Sequence, residues 1–201
     1  MTKDNFMSDP RVYHSKTELL RSIIKPLPAA NHATDCPFRD LERMLEGYEQ
    51  NWGLNLDPDF QRGHVWTVAQ RIAYLEGIYR GTVGESQRTI QFNAPHWETE
   101  DHGGDLPNEI QILDGLQRLT TVRMFMTGKL RIFNGLHVDD FEGSNYSTRM
   151  AVYRLRFTIH NFAWRKDVLQ WYISVNEGGS PHAPEEIDRV KALLAITGNQ
   201  N

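Results

Sequence analysis

Apolar residues recur at two spacings along the chain, and the spacing changes from segment to segment. Over residues 38–50 they fall three or four positions apart, which places Leu41, Leu45 and Tyr48 on one helical face. The same spacing appears in four later segments, and helices are predicted over residues 68–80, 116–127, 165–176 and 184–195. Thr67 is a suitable N-cap for the first of these four helices.

Strands are predicted where apolar and polar residues alternate, or where a short apolar run lies between turn residues. The longest such segment is 153–162, in which Leu155, Phe157 and Ile159 alternate with arginine and threonine side chains. Further strands are predicted over residues 88–93, 109–113 and 129–133. Short strands between helices, followed by a mainly helical C-terminal third, predict an α+β fold.

The first 37 residues differ in pattern from the rest of the chain. Residues 17–24 are predicted to form a short helix, and three prolines among small polar residues then interrupt the pattern up to Pro37. We therefore assign residues 1–37 to an N-terminal extension and residues 38–201 to a single domain. Cys36 lies in this extension, outside every motif, and Cys36→Ser is expected to leave the activity unchanged.

The composition excludes several classes of protein. A chain of 201 residues with a net charge of −4 lacks the excess of Lys and Arg typical of non-specific DNA binding, although it is compatible with a local basic groove. Its single cysteine excludes an intramolecular disulfide and a cysteine-rich zinc site. Its apolar runs are too short to cross a membrane, and the polar N-terminus does not resemble a signal peptide. We therefore expect a cytoplasmic protein without membrane contacts.

Residues 112–121, ILDGLQRLTT, form the strongest candidate site. A predicted strand ends at Asp114-Gly115, and a predicted helix with Gln117 and Arg118 follows at once. Such a junction presents free backbone N–H groups and the positive end of a helix dipole, which favour a bound anion. Glycine lets a phosphate approach, Arg118 can bind the same anion, and Asp114 can hold Mg²⁺ or accept a proton. The alternative is a capped turn, with Asp114 as the cap and Arg118 on a solvated face.

A second polar segment spans residues 57–71. Arg62 follows a short extended stretch, Trp66 lies four positions further on, and Arg71 belongs to the next predicted helix. The alternative interpretation is an exposed arginine beside a core tryptophan.

A third segment spans residues 175–186, where Gly178-Gly179 makes a tight turn between two predicted helices. A helix C-cap followed by an N-cap also explains most of this stretch. His182 and Glu186 lie four positions apart and are both metal-ligand types. A dedicated zinc site usually takes three or four protein ligands, so no metal site is predicted here.

Taken in order, these three segments resemble the DGQQR-motif family, typified by the GmrS half of the GmrSD modification-dependent restriction system, within the ParB/sulfiredoxin-like superfamily. The resemblance covers about residues 38–195. The matching residues are Pro58, Phe60, Gln61, Arg62 and Trp66 in the first motif, Asp114, Gly115, Gln117, Arg118, Leu119 and Thr120 in the second, and Asn176, Gly178, Gly179 and Glu186 in the third. The resemblance implies a ParB/sulfiredoxin-like core, that is, a small mixed sheet with surrounding helices and a helical C-terminal part.

Two residues depart from the family pattern. Leu116 replaces the first glutamine of DGQQR, which removes any contact made by that amide. His182 stands where the family usually has an apolar residue. The restriction enzymes of the family also add a nuclease module, and we expect no DNA cleavage by this chain alone.

The resemblance implies binding of ATP or another nucleoside triphosphate together with Mg²⁺. Asp114 would be the magnesium ligand or general base, and Arg62 and Arg118 would stabilise the charge that develops during phosphoryl transfer. The residues expected to contact the nucleotide are Gln61, Arg62, Arg71, Gly115, Gln117, Arg118 and Thr120. Trp66, Asn176, Gly178, Gly179 and Glu186 are expected to shape turns and packing.

The resemblance implies a hydroxyl on nucleic acid as the favoured acceptor, such as a hydroxymethylated base in phage DNA, because compact single-domain members of this family are frequent in tailed phages, which decorate their DNA. The alternative is an NTPase, or a nucleotide-sensing or DNA-binding module of a restriction or anti-restriction system. The side chains of Arg149, Arg154, Arg156 and Arg165 could follow a DNA backbone, or form a solvated face. Trp97, with His96, could stack on an extruded base, or simply pack. The sequence leaves open whether the chain forms a homodimer.

Overall fold

A computed structural model describes residues 10–61, 63, 65–99, 103–178 and 184–198. Its helices are α1 Pro10–Ile24, α2 Leu41–Trp52, α3 Val68–Arg80, α4 Leu116–Met126, α5 Arg165–Gly178 and α6 Pro184–Gly198. Its strands are β1 His32–Pro37, β2 Leu54–Asn55, β3 Thr89–Asn93, β4 Ile110–Asp114 and β5 Arg154–His160. Three short 3₁₀ turns lie at Phe38–Asp40, Ser86–Arg88 and Val138–Phe141.

The strands form one mixed sheet in the order β1-β5-β3-β4-β2. β1 is antiparallel to β5, and β3 is antiparallel to β4, whereas the β5–β3 and β4–β2 pairs are parallel. The sheet with its surrounding helices confirms the predicted α+β fold, including its helical C-terminal part.

Alternation along β4 divides the core between the two faces of the sheet. Ile110 and Ile112 belong to the larger cluster, which includes residues of α2, α3 and α4. Leu113 faces the other way and joins a second cluster with Phe60 and residues of α5 and α6. β4 is thus buried on both faces up to Leu113, and Asp114, which ends it, is partly exposed.

The caps of α3 follow the sequence prediction. The Thr67 hydroxyl accepts a hydrogen bond from the Gln70 backbone N–H, and the Gln70 side chain accepts one from the Thr67 backbone N–H. This capping box fixes the N-terminus of α3. Gly81 ends the helix in the left-handed conformation that glycine adopts readily.

Residues 32–37, which we assigned to the N-terminal extension, form the edge strand β1 of the sheet. The register pairs Cys36 with Leu155 of β5. Cys36 is the one fully buried residue of this strand. The strand therefore lacks the alternating apolar pattern by which a strand is predicted from the sequence. The sheet therefore begins before Phe38.

The strand predicted over residues 129–133 is wrong. A single antiparallel bridge joins Ile132 to Leu136, and Phe133 and Asn134 adopt positive φ angles of 46° and 62°. The segment is a tight turn, because a left-handed backbone cannot continue an extended strand. Its apolar residues are buried by packing under the helices rather than by strand pairing.

The helices of the described residues are too short or too polar to cross a membrane.

Cys36 is a core residue, which changes what its substitution should do. Its side chain is 0% exposed, and burial raises the pKa of the thiol to about 12. We expect Cys36→Ser to lower the free energy of unfolding by about 1–2 kcal/mol, because it places a hydroxyl in an apolar site. Urea denaturation measures this change. Cys36→Ala is the control, since it removes the sulfur without adding a polar group. A serine variant more stable than the alanine variant would contradict the prediction.

Candidate functional site

The candidate site lies where β4 ends and α4 begins. Asp114 is the last residue of the strand, and Gly115, at φ +100°, turns the chain into the helix. No described side chain caps the N-terminus of α4. The first backbone N–H groups of a helix have no partner within it, and they carry the positive end of its dipole. The junction therefore has the local geometry predicted for an anion site.

Gly115 also has a packing role that the sequence did not reveal. A Cβ at this position would lie 2.8 Å from Ile90 Cδ1, 3.2 Å from Ile90 Cα and 3.2 Å from the Thr89 backbone oxygen. Glycine is therefore required both by the positive φ and by the close approach of α4 to β3.

Asp114 and Arg118 form an ion pair across the first turn of α4. Their side chains are 34% and 18% exposed, so both can be reached from solvent. A guanidinium has five N–H donors, and this contact uses only part of that capacity. The pair replaces the predicted alternative of a capping Asp114 and a solvated Arg118.

Arg118 also acts on the neighbouring helix α3. Burial raises the pKa of the Tyr74 hydroxyl, and the nearby charges of Arg118 and Arg88 oppose that shift. Tyr74 donates a hydrogen bond of 3.0 Å to the Gln87 carbonyl. Tyr74 therefore stays protonated and serves as a structural neighbour of the site.

Gln117 is buried and holds the preceding loop in place. Its Oε1 accepts hydrogen bonds from the backbone N–H groups of Val65 (3.2 Å) and Trp66 (3.1 Å). Its Nε2 donates to the Gly63 carbonyl at 3.0 Å. The predicted phosphate contact of this amide is thus replaced by contacts with the loop between β2 and α3. Gln117 positions that loop beside the N-terminus of α4.

Arg71 extends this network into the protein interior. It is 6% exposed, and its guanidinium donates to Thr121 Oγ1 at 3.1 Å and to Gln117 Oε1 at 3.4 Å. Within the described part of the chain, no carboxylate lies within the 4.0 Å that defines an ion pair with Arg71. A buried charge with only neutral partners is costly, and it favours an anion nearby. The buried guanidinium of Arg71 therefore adds positive potential beside Gln117, at the first turn of α4.

The first motif is anchored from both C-terminal helices. Gln61 donates through Nε2 to the Leu113 carbonyl at 3.3 Å and accepts from the Tyr172 hydroxyl at 3.4 Å. Arg189 of α6 donates to the backbone carbonyls of Phe60 (2.9 Å) and Gln61 (3.4 Å). The sequence did not indicate this role of Arg189. An arginine on an amphipathic helix is usually exposed to solvent, and its contact with a backbone about 130 residues earlier cannot be predicted from helical spacing.

Some predicted site residues lie outside the described residues. Arg62 of the first motif is among them, as are Gly179 and His182 of the third. The side chain of Glu186 is likewise not described. Their predicted roles stay predictions.

The remaining motif residues have structural surroundings. Trp66 packs edge-to-face on Tyr74, with ring centroids 5.2 Å apart. Asn176 is buried and donates to the Tyr172 carbonyl at 2.7 Å within α5, which ends at Gly178. Thr120 lies half-buried in the second turn of α4. These contacts agree with packing roles for the first and third motifs.

The arginines predicted to follow DNA are paired with acids. Arg154 and Arg156 both contact Asp35, at 2.9 and 3.5 Å, and Arg165 contacts Asp59 at 2.6 Å. Arg149 contacts Glu142 at 3.2 Å. These pairs reduce the positive potential available to a nucleic-acid backbone, so the DNA-tracking role stays a prediction.

Trp97 requires a correction. Its ring lies 4.9 Å from Trp52, 5.4 Å from His32 and 6.3 Å from Tyr48, centroid to centroid. The ring is a packing contact of the core rather than a free surface for an extruded base. Trp97 is surrounded by polar residues in the sequence, which gave no indication that the loop folds back onto α2.

The carboxylates near the junction decide how a magnesium ion would be held there. The described residues contain no cluster of three or more His, Cys, Asp or Glu that could enclose a metal ion. Mg²⁺ is commonly held by one or two carboxylates together with substrate phosphates and water. The single, partly exposed carboxylate of Asp114 fits this mode and does not fit a metal held by the protein alone.

The mixed sheet and the β4–α4 junction define a small α+β domain with a candidate anion site. The chain belongs to the family of the GmrSD restriction endonuclease N-terminal domain, whose family model matches residues 41–193. No curated protein and no solved structure matches the chain.

Proposed function

We propose that the β4–α4 junction binds the phosphates of a nucleoside triphosphate and that the protein transfers the terminal phosphoryl group to a hydroxyl on nucleic acid. The observation that supports this most strongly is the convergence of positive groups. The N-terminus of α4, which no described side chain caps, lies together with Arg118 and the buried Arg71. Phosphoryl transfer depends mainly on positioning and charge neutralisation, and these groups supply both.

Binding of a triphosphate would change the partner of Arg118. The guanidinium would turn from Asp114 to a phosphate oxygen, which it can contact with two N–H groups. Asp114 would then be available to hold Mg²⁺ or to accept the proton of the attacking hydroxyl. Magnesium bound with the triphosphate would neutralise part of its charge. The bond from the terminal phosphorus to its bridging oxygen breaks as the bond to the acceptor oxygen forms.

Water is the second candidate acceptor, and family membership favours it. The matched family is the N-terminal domain of a restriction endonuclease. In such a system nucleotide hydrolysis, or binding alone, could control a partner activity. The acceptor therefore needs a direct test.

The test uses γ-labelled ATP, Mg²⁺ and DNA with either hydroxymethylated or unmodified bases. Label on the hydroxymethylated DNA indicates a kinase, free phosphate indicates an NTPase, and bound nucleotide without turnover indicates a sensing module. We expect Arg118→Ala to lower turnover at least tenfold, roughly the loss of one charge-assisted hydrogen bond.

Arg123→Ala is the matched control, because Arg123 lies on the same helix and is occupied by Glu42 at 2.8 and 2.9 Å. Its turnover should equal that of the wild type. If both Arg118→Ala and Asp114→Asn retain full turnover, the site assignment is wrong. Absence of nucleotide binding by the folded wild type would reject the proposed function itself.

A further inference from the structure

An aromatic cleft lies at the ends of α3 and α4 that are remote from the β4–α4 junction. Its volume is about 500 Å³, and its lining residues are Tyr79, Arg80, Phe133, Phe141 and Tyr146. Arg71, near the start of α3, contacts Thr121 of α4, whereas Tyr79, near the end of α3, packs against Phe125 of α4. The two helices therefore run side by side in the same direction. At 1.5 Å per residue the cleft is about 13 Å along α3 from Arg71.

The rings of the cleft present faces and edges at fixed angles. Tyr79 stacks on Phe141 with centroids 4.8 Å apart, and Phe133 meets Tyr79 edge-on at 6.1 Å. Phe141 is almost fully buried, whereas Tyr146 is 58% exposed at the rim. This arrangement combines a rigid aromatic floor with an accessible ring, which is suited to a planar aromatic ligand.

Glu76 holds one wall of the cleft in an uncommon backbone conformation. One of its carboxylate oxygens accepts the Phe133 backbone N–H at 2.8 Å, and the other pairs with Arg80 at 2.9 Å. Arg80 in turn lies over the Phe133 ring, 4.9 Å from its centroid. A phenylalanine at φ +46° is rare, because its side chain crowds the backbone there. The single carboxylate thus fixes both the ring and the cation above it.

The charges around the cleft indicate which charge a planar ligand should carry. Among the described residues that line the cleft, Arg80 is the charged one, and its charge is balanced by Glu76, so the cleft favours neither a cationic nor an anionic ligand. The C-terminal ends of α3 and α4 carry partial negative charge, which disfavours a triphosphate at this end. A neutral ring fits both conditions.

The surrounding loop adds positive charge outside the cleft. The turn that carries Phe133 also carries Lys129 and Arg131, and both are exposed. Asp139 and Asp140, which precede Phe141, are exposed as well, so a nucleic-acid strand would stack a base in the cleft and pass its phosphates along the Lys129 and Arg131 side. We propose that this cleft binds an unpaired nucleobase of single-stranded nucleic acid.

The test measures the fluorescence anisotropy of a labelled oligodeoxythymidylate of about 12 nucleotides, a length within the range of single-strand sites. Tyr146→Ala should weaken binding roughly 5- to 50-fold, in line with the loss of one stacked base. Tyr146→Phe keeps the ring and should bind like the wild type. Arg80→Gln should also weaken binding, because it removes the cation over Phe133.

Tyr13→Ala is the matched control. Tyr13 lies on α1 and is 58% exposed, the same fraction as Tyr146, so its loss removes an equally accessible ring from another surface. Circular dichroism establishes that each variant is folded.

Several outcomes would overturn the proposal. The first is a wild type that does not bind the oligonucleotide. The second is an equal loss of affinity in Tyr13→Ala and Tyr146→Ala. The third is equal affinity for duplex and single strand, with no effect of Tyr146→Ala on either. Competition by free thymidine monophosphate at strand-equivalent concentrations would assign the cleft to a free nucleotide instead. Arg118→Ala should leave strand binding unchanged, which separates this test from that of the proposed function.

Discussion

Gly115→Ala is expected to destabilise the protein by about 3 to 4 kcal/mol, the largest loss among the substitutions considered. Two effects add at this position. An alanine at φ +100° is strained, and its Cβ would lie 2.8 Å from Ile90 Cδ1 and 3.2 Å from the backbone of β3. The side-chain methyl of Ile90 can move, but the β3 backbone, paired on both sides, can shift only with the sheet.

Thermal denaturation measures the effect, which for a chain of this size corresponds to a fall of roughly 10 °C in Tm. Gly135→Ala is the matched control, because Gly135 has a similar φ of +113° and no atom within 4 Å of a Cβ. It should lose only the backbone part, about 1 to 2 kcal/mol. Equal losses in the two variants would show that the approach of α4 to β3 is unimportant.

Gln117→Leu is expected to lower the free energy of unfolding by about 3 kcal/mol, because it leaves several buried polar groups without partners. The substitution removes the acceptor for the N–H groups of Val65 and Trp66 and the donor to the Gly63 carbonyl. It also leaves the buried Arg71 with Thr121 as its remaining described partner. Because the loop can move toward water, part of the loss should appear as loop mobility rather than global unfolding.

Urea denaturation and amide hydrogen exchange of residues 63–66 measure the two parts. Gln117→Glu is the matched control: its carboxylate keeps the acceptor for the loop and gives Arg71 an anionic partner, and it loses only the donor to Gly63. It should be more stable than the leucine variant. If Gln117→Leu has wild-type stability and exchange, then Gln117 does not hold the loop, and a ligand role for the amide regains support.

Both substitutions lie in the segment 112–121, where the contacts of Gly115 and Gln117 in the structure differ from those that the sequence predicted. The sequence correctly indicated a strand-to-helix junction at Asp114-Gly115, because an apolar run, a glycine and an amphipathic segment specify it locally. It assigned Gly115 and Gln117 to a phosphate. In the structure Gly115 packs on β3 and Gln117 bonds to a loop some fifty residues earlier in the chain.

Other differences have the same origin. Cys36 was placed outside the domain, yet β1 pairs it with β5 and buries it. Trp97 stands in a polar stretch, where the sequence left both base stacking and packing open, and in the structure it packs on Trp52. In each case the deciding partner comes from a distant segment, and neither periodicity nor composition contains that contact.

The sequence by itself determined the order and type of most elements, the α+β class, the strand-to-helix junction and the family resemblance, because these depend on local propensity, side-chain period and motif spacing. Only the tertiary structure decided which polar groups serve the fold and which remain available. Gln117 and Arg71 are buried and bonded within the protein, whereas Asp114 and Arg118 form a pair that stays partly exposed to solvent. The physical reason is that a hydrogen bond or an ion pair is defined by two groups in space, and folding alone brings the second group to the first.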